Sequence, residues 1–332
     1  MTPLMQVKSL RKTFPLSKGF FRKVYDQFVA VSDVSFDLYQ GEVLGIVGES
    51  GSGKSTTALM LLKLLDYLPT HELSGNIYFE EKNLLTLSER QMRSIRGAKL
   101  AMIFQDPAAA LNPVFTVGEQ VAEMWRLHRR SSLDEAKERA VSSLEKVGLQ
   151  KMHNFFETYP HQISGGMKQR VMIAMALMAF PKILIADEPT TALDLTVQKE
   201  ILQLLKECQQ ETDMALLLIT HDMGVVAEMA DEVAVMYAAE IVEFGSVNEI
   251  FENPLHPYTQ ALFRARPTRA DRKKPLQVIS GIPPQGSKRP TGCPFHPRCP
   301  FAMPKCKEGP VATFYDKKHK NHFAKCWLLE EE

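Results

Sequence analysis

The sequence predicts an α/β fold with a helical insert and an irregular C-terminal extension. Short, almost continuous apolar runs are typical of strands that are buried on both faces, and they occur at Gly41–Val47, Lys182–Thr190 and Met214–Thr220. Between the first two runs, Thr116–Phe156 has the pattern of helices. Near the end of the chain, eight of its 20 prolines lie between Pro283 and Pro310, which is too many for regular helices or strands.

The length and composition indicate a folded protein with a substantial core. The chain has 332 residues, of which 45% are hydrophobic, enough for one large domain and an appendage. Its 40 basic and 39 acidic residues leave a net charge of +1, so we expect no nucleic-acid partner. The first residues lack the apolar core of a secretory signal, and the most apolar segment, Val171–Ala186, is interrupted by Pro181 and Lys182. We therefore expect a cytosolic chain.

A phosphate-binding loop is predicted directly after the first apolar run. The segment GESGSGKS matches the pattern G-x-x-x-x-G-K-[ST] at Gly48, Gly53, Lys54 and Ser55, and the helix-length segment Ser55–Leu65 follows it. Glycines at these positions let successive backbone N–H groups turn towards the β-phosphate of a nucleotide. Lys54 would reach the β- and γ-phosphate oxygens, and Ser55 would hold Mg²⁺. The alternative is a glycine-rich turn without a ligand, which the flanking strand and helix disfavour.

Further polar side chains follow apolar runs and are expected at the same edge of a parallel sheet. Asp187 and Glu188 follow the second run, where the first carboxylate can hold Mg²⁺ and the second can polarise an attacking water. His221 follows the third run, and Gln105 follows Leu100–Phe104. Ligands of open α/β sheets bind at the carboxyl ends of the strands, so these groups are expected to converge. Taken alone, the acid pair also fits a helix cap, and His221 also fits a structural histidine.

The segment Ser164-Gly165-Gly166 predicts a second helix start that approaches an anion. Glycine within a helix costs about 1 kcal/mol relative to alanine, so two adjacent glycines before an apolar-periodic stretch indicate a close approach to the backbone. Such a helix start offers amides and about half a positive charge. Because the phosphate loop already supplies one helix start, we expect this one, which follows the helical insert, to serve the nucleotide of a neighbouring chain. ATP would then join two chains head to tail.

These motifs, in this order, resemble the ATP-binding subunit of an ABC transporter. They are the phosphate loop, Gln105, ISGGM, ILIADEPT, TALD at Thr191–Asp194, and His221, and the similarity covers residues 5 to 250. The resemblance implies a P-loop NTPase domain of ABC type at residues 1–250, with a mixed sheet core and a helical subdomain at about 107–178. The implied chemistry is the hydrolysis of ATP with Mg²⁺.

The resemblance also implies catalytic roles. Glu188 would be the general base, and His221 would be the γ-phosphate switch. Gln105 would sense the γ-phosphate and couple the site to the membrane partner. The Mg²⁺ set implied by the family is Ser55, Gln105 and Asp187.

Nucleotide binding is implied at further positions. Tyr25 is expected to stack on adenine, with Phe14 as the alternative because Pro15–Lys23 resembles an insertion. Met167 stands where many members have glutamine, a change that leaves the backbone amides unaffected, and Asp194 would contact the second chain of a dimer. The implied nucleotide-binding residues are Tyr25, Gly48, Ser50, Gly51, Gly53, Lys54, Ser55, Thr56, Asp187, Ser164, Gly165, Gly166 and Asp194.

Four of the five cysteines lie in the proline-rich extension and predict a metal site. They are Cys293, Cys299, Cys306 and Cys326, separated by five, six and nineteen residues. Disulfides are not expected in a reducing cytosol, which leaves a metal site or separate buried thiols. The gaps differ from the C-x₂-C spacing of common zinc ribbons, and four thiolates suit either an iron–sulfur cluster or tetrahedral Zn²⁺. An irregular segment of this kind is expected to need a staple.

The extension resembles the C-terminal part of the ATPases of oligopeptide, dipeptide and nickel importers. The segments that carry this resemblance are HPYTQAL at 256–262, the cysteine-rich tail and FQDPAAALNP at Phe104–Pro113. An iron–sulfur cluster occurs in some members of that group. The resemblance therefore favours a 4Fe-4S cluster at the four cysteines over Zn²⁺, and residues 251–332 are expected to form a metal-stapled extension.

The implied function is to hydrolyse ATP and so power the import of dipeptides or oligopeptides. The implied partners are a second ABC ATPase subunit, more often a distinct chain than a second copy, two transmembrane permease subunits and, indirectly, an external substrate-binding protein. The chain would be peripheral, at the cytoplasmic face of the inner membrane. Alternatives are the same role in a nickel, metallophore or other small-solute importer, and a non-transport ABC ATPase. A DNA-repair ATPase would need a long coiled coil between Gln105 and Ser164, which the sequence lacks.

Overall fold

The computed structural model describes residues 2–18, 23–65, 72–129, 131–149, 155–191, 193–265, 279–284 and 286–330. The strands in these ranges are β1 (Met5–Lys18), β2 (Lys23–Leu38), β3 (Val43–Val47), β4 (Glu72–Phe79), β5 (Lys82–Asn83), β6 (Leu100–Ile103), β7 (Ile183–Asp187), β8 (Ala215–Thr220), β9 (Glu232–Tyr237), β10 (Glu240–Ser246), β11 (Phe314–Tyr315) and β12 (Phe323–Ala324).

The helices in the same ranges are α1 (Lys54–Leu61), α2 (Glu89–Arg93), α3 (Pro107–Ala110), α4 (Val117–Arg129), α5 (Leu133–Lys146), α6 (Gly165–Leu177), α7 (Leu195–Thr212), α8 (Met223–Met229), α9 (Val247–Glu252) and α10 (Pro257–Arg264). None of these helices is long and apolar enough to cross a membrane. The chain divides into two compact units. Unit 1 contains Met1–Pro3, Leu38–Val43 and Thr86–Ile219, and unit 2 contains Leu4–Asp37, Leu44–Leu85 and Thr220–Glu332.

Unit 1 contains a group of parallel strands. β7 lies between β6 and β8, with Ile103 opposite Ala186 and Asp187 opposite Ile219. Every residue of the three strands is buried. Burial on both faces explains why these strands are continuous apolar runs and not alternating ones. Asp187 is the last residue of β7, so it lies at the carboxyl edge of this part of the sheet.

The helical insert predicted from the sequence is present in unit 1. Helices α3 to α6 fall within residues 107–177, and α4, α5 and α6 contact one another. Serines fix the starts of two of them: Ser132 Oγ accepts a hydrogen bond from the N–H of Glu135, and Ser164 Oγ accepts one from the N–H of Met167. The sequence therefore marks where α5 and α6 begin.

Unit 2 contains an antiparallel sheet and a mixed group of strands. The first has the order β2-β1-β4-β5, with β4 antiparallel to both β1 and β5. In the second, β3 pairs with β9 in parallel, whereas β10, β12 and β11 continue in antiparallel pairs. This mixture of parallel and antiparallel pairs confirms the predicted mixed sheet. The predicted order of strand, turn and helix is also present, although α1 ends at Leu61 and not at Leu65.

The C-terminal extension is held by ordinary non-covalent contacts. β12 pairs with β10, and Phe323 stacks on Phe244 with ring centroids 5.6 Å apart. His322 Nε2 lies 2.9 Å from Glu243 Oε1, and both side chains are fully buried. The Glu243 carboxylate also accepts backbone N–H groups from residues 255 and 256. The irregular segment is thus anchored to the strands of unit 2 by pairing, stacking and buried hydrogen bonds.

Candidate nucleotide site

The phosphate loop connects β3 to α1 in unit 2. Gly48 and Gly53 have positive φ angles of 154° and 103°. A Cβ atom at Gly48 would overlap the carbonyl oxygen of Met236, and one at Gly53 would lie 2.5 Å from the carbonyl oxygen of Ala30. A side chain at either position would displace the loop, which is why glycine is required there. The loop is therefore packed closely against neighbouring backbone.

Lys54 points back into this loop. It is the first residue of α1 and is 4% exposed. Its Nζ donates hydrogen bonds to the carbonyl oxygens of Gly48, at 2.8 Å, and of Glu49, at 3.0 Å. Gly53 precedes the helix and brings no capping side chain. The loop thus combines a held ammonium group with the amides of a helix start, an arrangement suited to phosphate oxygens.

The outer side of the loop contacts the C-terminal extension, which the sequence did not predict. Arg298 donates to both carboxylate oxygens of Glu49, at 2.6 and 3.0 Å. The hydroxyl of Tyr258 accepts a hydrogen bond of 2.9 Å from the N–H of Glu49. Arg298 belongs to the segment HPRCP and Tyr258 to HPYTQAL, but no local pattern says which residues these side chains will contact.

Unit 1 supplies the carboxylates. Asp187 is 4% exposed at the end of β7. The next residue, Glu188, has a φ of 48°, and its N–H donates to the carbonyl oxygen of Ile219 at 2.8 Å. Gln105 Nε2 donates to Glu188 Oε2 at 3.1 Å, and Thr191 Oγ1 donates to the same oxygen at 2.8 Å. Unit 1 therefore brings Gln105 and Glu188 together, and it adds Thr191, for which the sequence predicts no separate role.

The predicted second helix start also lies in unit 1. Ser164 is the N-cap of α6, and the helix begins at Gly165. In the described part of the chain, apart from the neighbouring residues and the backbone of α6 itself, no atom lies within 4 Å of the place where a Cβ atom at Gly165 would stand. A Cβ atom at Gly166 would lie 3.0 Å from Val197 Cγ1. Ser164 and Gly165 are both exposed. The start of α6 therefore has an open approach on the Gly165 side.

The remaining predicted residues are placed as follows. Asp194 is exposed and caps α7 through hydrogen bonds from the N–H groups of residues 196 and 197. Ser50 and Gly51 are exposed on the loop, and Thr56 is half-buried in the first turn of α1.

His221 is exposed directly after β8, in unit 2. The side chain of Tyr25 lies outside the described part of the chain, whereas Phe14 is half-buried with Lys12 Nζ 5.2 Å from its ring centroid.

The prediction of a metal centre at Cys293, Cys299, Cys306 and Cys326 is wrong. Among the described residues, no group of three or more His, Cys, Asp or Glu side chains is arranged to hold a metal ion, and all four cysteines are free. Burial raises the pKa of Cys293 to about 12 and that of Cys326 to about 11. The pairing, stacking and buried hydrogen bonds of the extension replace the expected staple. Neither a 4Fe-4S cluster nor Zn²⁺ is supported.

Two family models match the chain. The model for ABC transporters matches residues 31–191, and the model for the C-terminal region of oligopeptide/dipeptide transporters matches residues 242–306. The dipeptide transport ATP-binding protein DppD of Escherichia coli (strain K12) is 49% identical over 280 residues, which cover 84% of this chain and 85% of that protein. The oligopeptide transport ATP-binding protein OppD of Bacillus subtilis (strain 168) is 45% identical over 333 residues, which cover 100% of this chain and 90% of that protein.

The fold is also similar to solved structures. The dimeric structure of a post-hydrolysis state of the ATP-binding cassette MJ0796, bound to ADP and Pi, has a TM-score of 0.62 and 29% sequence identity, and the match covers 73% of this chain and 98% of that chain. The sequence relatives extend further, through the region that follows the cassette. The chain therefore belongs to the ATP-binding proteins of the ABC transporter family, in the group that carries the C-terminal region of oligopeptide/dipeptide transporters.

Proposed function

We propose that this chain is the ATP-hydrolysing subunit that powers an importer of dipeptides or oligopeptides. The observation that carries the proposal is the presence, in one chain, of the ABC transporter match and of the oligopeptide/dipeptide transporter C-terminal region. Relatives named for dipeptide and oligopeptide transport align over most or all of the chain. This alignment supports peptides as the imported class.

The phosphate loop of unit 2 would bind the β- and γ-phosphates of ATP. Its backbone amides and the start of α1 supply partial positive charge, Lys54 supplies a full one, and Ser50, Gly51 and Thr56 would complete the loop. The close packing of the loop glycines supports this role, because a loop that is already ordered loses little conformational freedom on binding. Tyr25 would stack on the adenine ring.

Glu188 of unit 1 would activate the attacking water. It would take a proton from the water as the water oxygen bonds to the γ-phosphorus and the bond from that phosphorus to ADP breaks. The hydrogen bond from Gln105 supports this role because it orients the carboxylate. Asp187, Ser55 and Gln105 would hold Mg²⁺, which when bound neutralises charge on the β- and γ-phosphates. His221 would contact the γ-phosphate.

The start of α6 would serve the ATP of a second ATPase subunit. The exposed Ser164 and Gly165, with the amides of a helix start, form a surface suited to a γ-phosphate that approaches from outside the chain. Gly166 would contribute a further amide, and the exposed Asp194 would contact the partner. We propose that this partner is a similar but distinct ATPase chain.

The chain would act at a membrane without crossing it. Two transmembrane permease subunits would form the path for the peptide, and an external binding protein would deliver the peptide to them. The chain would be peripheral, on the cytoplasmic face. Residues 1–250 would form the ATPase domain and 251–332 the importer-type extension.

Uptake by reconstituted vesicles tests this function. The chain, its partner ATPase, both permease subunits and the binding protein are assembled in lipid vesicles, and the uptake of a labelled dipeptide is measured with and without ATP. We expect uptake that requires ATP and that Lys54→Ala abolishes, because this change removes the charge in the phosphate loop. The control is the exposed Glu207→Gln on α7, which should transport normally. ATP-dependent uptake of a metal ion in place of any peptide would contradict peptide import.

A further inference from the structure

The second residue of the phosphate loop is an acid that is bound by the C-terminal extension. Glu49 lies between Gly48 and Ser50 in the loop, and Arg298 approaches it from 249 residues further along the chain. Two parallel hydrogen bonds of 2.6 and 3.0 Å join the guanidinium to the carboxylate. The Arg298 side chain is only 4% exposed and that of Glu49 is 25% exposed. This is a bidentate ion pair that is largely removed from water.

Arg298 is also held by contacts other than the one to Glu49. Its remaining N–H groups donate to the carbonyl oxygens of Ser280, at 3.0 Å, and Ile279, at 3.2 Å, and one donates to the hydroxyl of Tyr237 at 3.2 Å. The guanidinium carbon lies 5.8 Å from the centroid of the Tyr237 ring. Burial alone would lower the pKa of Arg298, but the hydrogen bonds to Glu49 and Tyr237 raise it above its usual value. The guanidinium of Arg298 is therefore oriented by several contacts besides its ion pair with Glu49.

A second contact from the same region fixes the loop backbone. The hydroxyl of Tyr258 accepts the N–H of Glu49 at 2.9 Å. The Tyr258 ring is fully buried, with its centroid 4.5 Å from that of Tyr237 and 5.4 Å from that of Phe295. Tyr258 therefore occupies the backbone N–H of Glu49, and Arg298 holds the side chain of the same residue.

The charge of Glu49 matters because the loop must receive a polyphosphate. An unpaired carboxylate on the loop would repel the anion and would be free to fold over the loop amides. Pairing with Arg298 neutralises this charge and keeps the carboxylate on the outer side. The same loop is thus suited to an anion only when the extension is docked.

We propose that Arg298 and Tyr258 are positioning residues of the phosphate loop, so that the C-terminal extension is an integral part of the ATP site. Neither residue touches the nucleotide in this scheme, because both act through Glu49. The inference rests on the proposed binding of ATP by this loop.

Binding and kinetics of the full chain test the inference. The Kd for MgATP and the KM and kcat for hydrolysis are measured for Arg298→Ala, Glu49→Ser and the double variant. We expect Arg298→Ala to raise Kd and KM roughly tenfold or more, because it leaves Glu49 unpaired. The double variant should return to within about threefold of the parent, because it removes the repelling charge together with its partner. Tyr258→Phe should raise Kd by a few-fold, with kcat nearly unchanged in every case.

Two controls separate the possible causes of failure. Lys305 lies in the same extension, and its Nζ contacts other residues of the extension, 4.2 Å from the ring centroid of Trp327 and 2.6 Å from Glu330 Oε1. Lys305→Ala should leave Kd unchanged. Lys54→Ala should abolish binding, and normal ATP affinity in that variant would refute the proposed phosphate loop and not this inference.

The inference is overturned if Arg298→Ala, folded by its thermal melt, binds MgATP like the parent. It is also overturned if the double variant binds as weakly as Arg298→Ala, because the loss would then come from disordering the extension and not from the charge of Glu49. If Arg298→Ala does not fold, Arg298→Gln decides the question, since it removes the charge but keeps a side chain that can donate hydrogen bonds. Its Kd, like that of Arg298→Ala, should rise roughly tenfold, and an unchanged Kd would contradict the proposal.

Discussion

Glu188 has a left-handed backbone conformation, with a φ of 48°, at the point where β7 ends. This conformation costs a residue other than glycine about 1–3 kcal/mol, so the surrounding contacts must hold it. They are the hydrogen bond from its N–H to Ile219 and those from Gln105 and Thr191 to its carboxylate. Strain of this kind is typical of functional sites, and here it fixes the direction in which the carboxylate points.

Replacing the Glu188 carboxylate tests its role as the base. Glu188→Gln should leave MgATP binding intact but slow hydrolysis by about 10²-fold or more, because the amide cannot accept the water proton. ATP-dependent dimers with the partner subunit should accumulate and be visible by size-exclusion chromatography. The exposed Glu207→Gln on α7 is the matched control. Hydrolysis near the parent rate in the assembled transporter would contradict the assignment.

Thr191 should contribute to the rate through Glu188. Thr191→Val removes the hydroxyl that donates to Glu188 Oε2 at 2.8 Å but keeps the side-chain shape. We expect kcat to fall roughly tenfold, the value of one hydrogen bond to a charged group, with little change in KM. Thr191→Ser keeps the hydroxyl and should keep the rate. If valine and serine behave alike in steady-state ATPase assays, this hydrogen bond has no catalytic effect.

At the level of elements, α6 offers a test that folding does not complicate. Among the residues that the structure describes, none from outside α6 and its immediate neighbours lies within 4 Å of a Cβ atom at Gly165, and an acidic residue at a helix start is favourable for the helix itself. Gly165→Asp should therefore fold normally and bind ATP as an isolated subunit. It should block ATP-dependent pairing, because the new carboxylate would face the γ-phosphate held by the partner.

Gly165→Asn is the matched control, since asparagine has nearly the same size without the charge. For Gly165→Asp, isothermal titration of the isolated subunit should show the ATP affinity of the parent, whereas ATPase assays of the assembled pair should show a loss of hydrolysis. For Gly165→Asn, both the affinity and the rate should stay close to those of the parent. Equal loss of binding in the isolated Gly165→Asp subunit would mean that this helix start serves its own nucleotide.

The elements around the candidate site were predictable because their signals are local. β3, β7 and β8 are buried on both faces, so each is a short apolar run, and α6 begins after a capping serine. The strands β1 and β2 were not predicted. They belong to a partly exposed antiparallel sheet, and a shift in register between Lys8 and Arg11 interrupts the alternation that a sequence pattern relies on.

The contacts of the extension could not be predicted, for a different reason. The spacing of Cys293 and the other cysteines does not say whether their sulfur atoms are arranged to hold a metal ion, or how strongly burial raises their pKa values. The pairing of β12 with β10 joins residues about eighty positions apart, and the sequence of neither strand predicts which strand it pairs with. Composition indicated that the tail needed to be held, but only the fold shows what holds it.

At the level of the whole molecule, a buried histidine should make stability depend on pH. The His256 side chain caps α10, since its Nδ1 accepts a hydrogen bond of 3.0 Å from the N–H of Tyr258, and the backbone N–H of His256 donates to the fully buried Glu243 carboxylate. Burial lowers the pKa of His256 to about 4, and the charge of Glu243 opposes this only in part. The unfolded chain therefore takes up a proton near pH 6.5, well before the folded chain does.

Stability should accordingly fall as the pH drops from 6.5 towards 4, by an amount on the order of 3 kcal/mol from this group. His256→Asn keeps a cap acceptor for the N–H of Tyr258 but cannot be protonated. Urea unfolding at a series of pH values should show a smaller loss between pH 6.5 and 4 for this variant than for the parent. If the free energy of unfolding falls equally with pH in both proteins, the pH dependence comes from groups other than His256.

The distance along the chain between Glu49 and Arg298 also has a consequence during synthesis. The ribosome makes the phosphate loop first, and the residue that neutralises its acid follows 249 positions later. At about 5–20 residues per second, this delay is roughly 12–50 s. A nascent cassette whose other parts have folded but that lacks the extension would carry a loop with an unpaired carboxylate and, on the proposal above, a poor affinity for ATP. A chain that ends prematurely would therefore not compete with complete subunits for nucleotide, and the last part to be made would serve as a check that the whole chain is present.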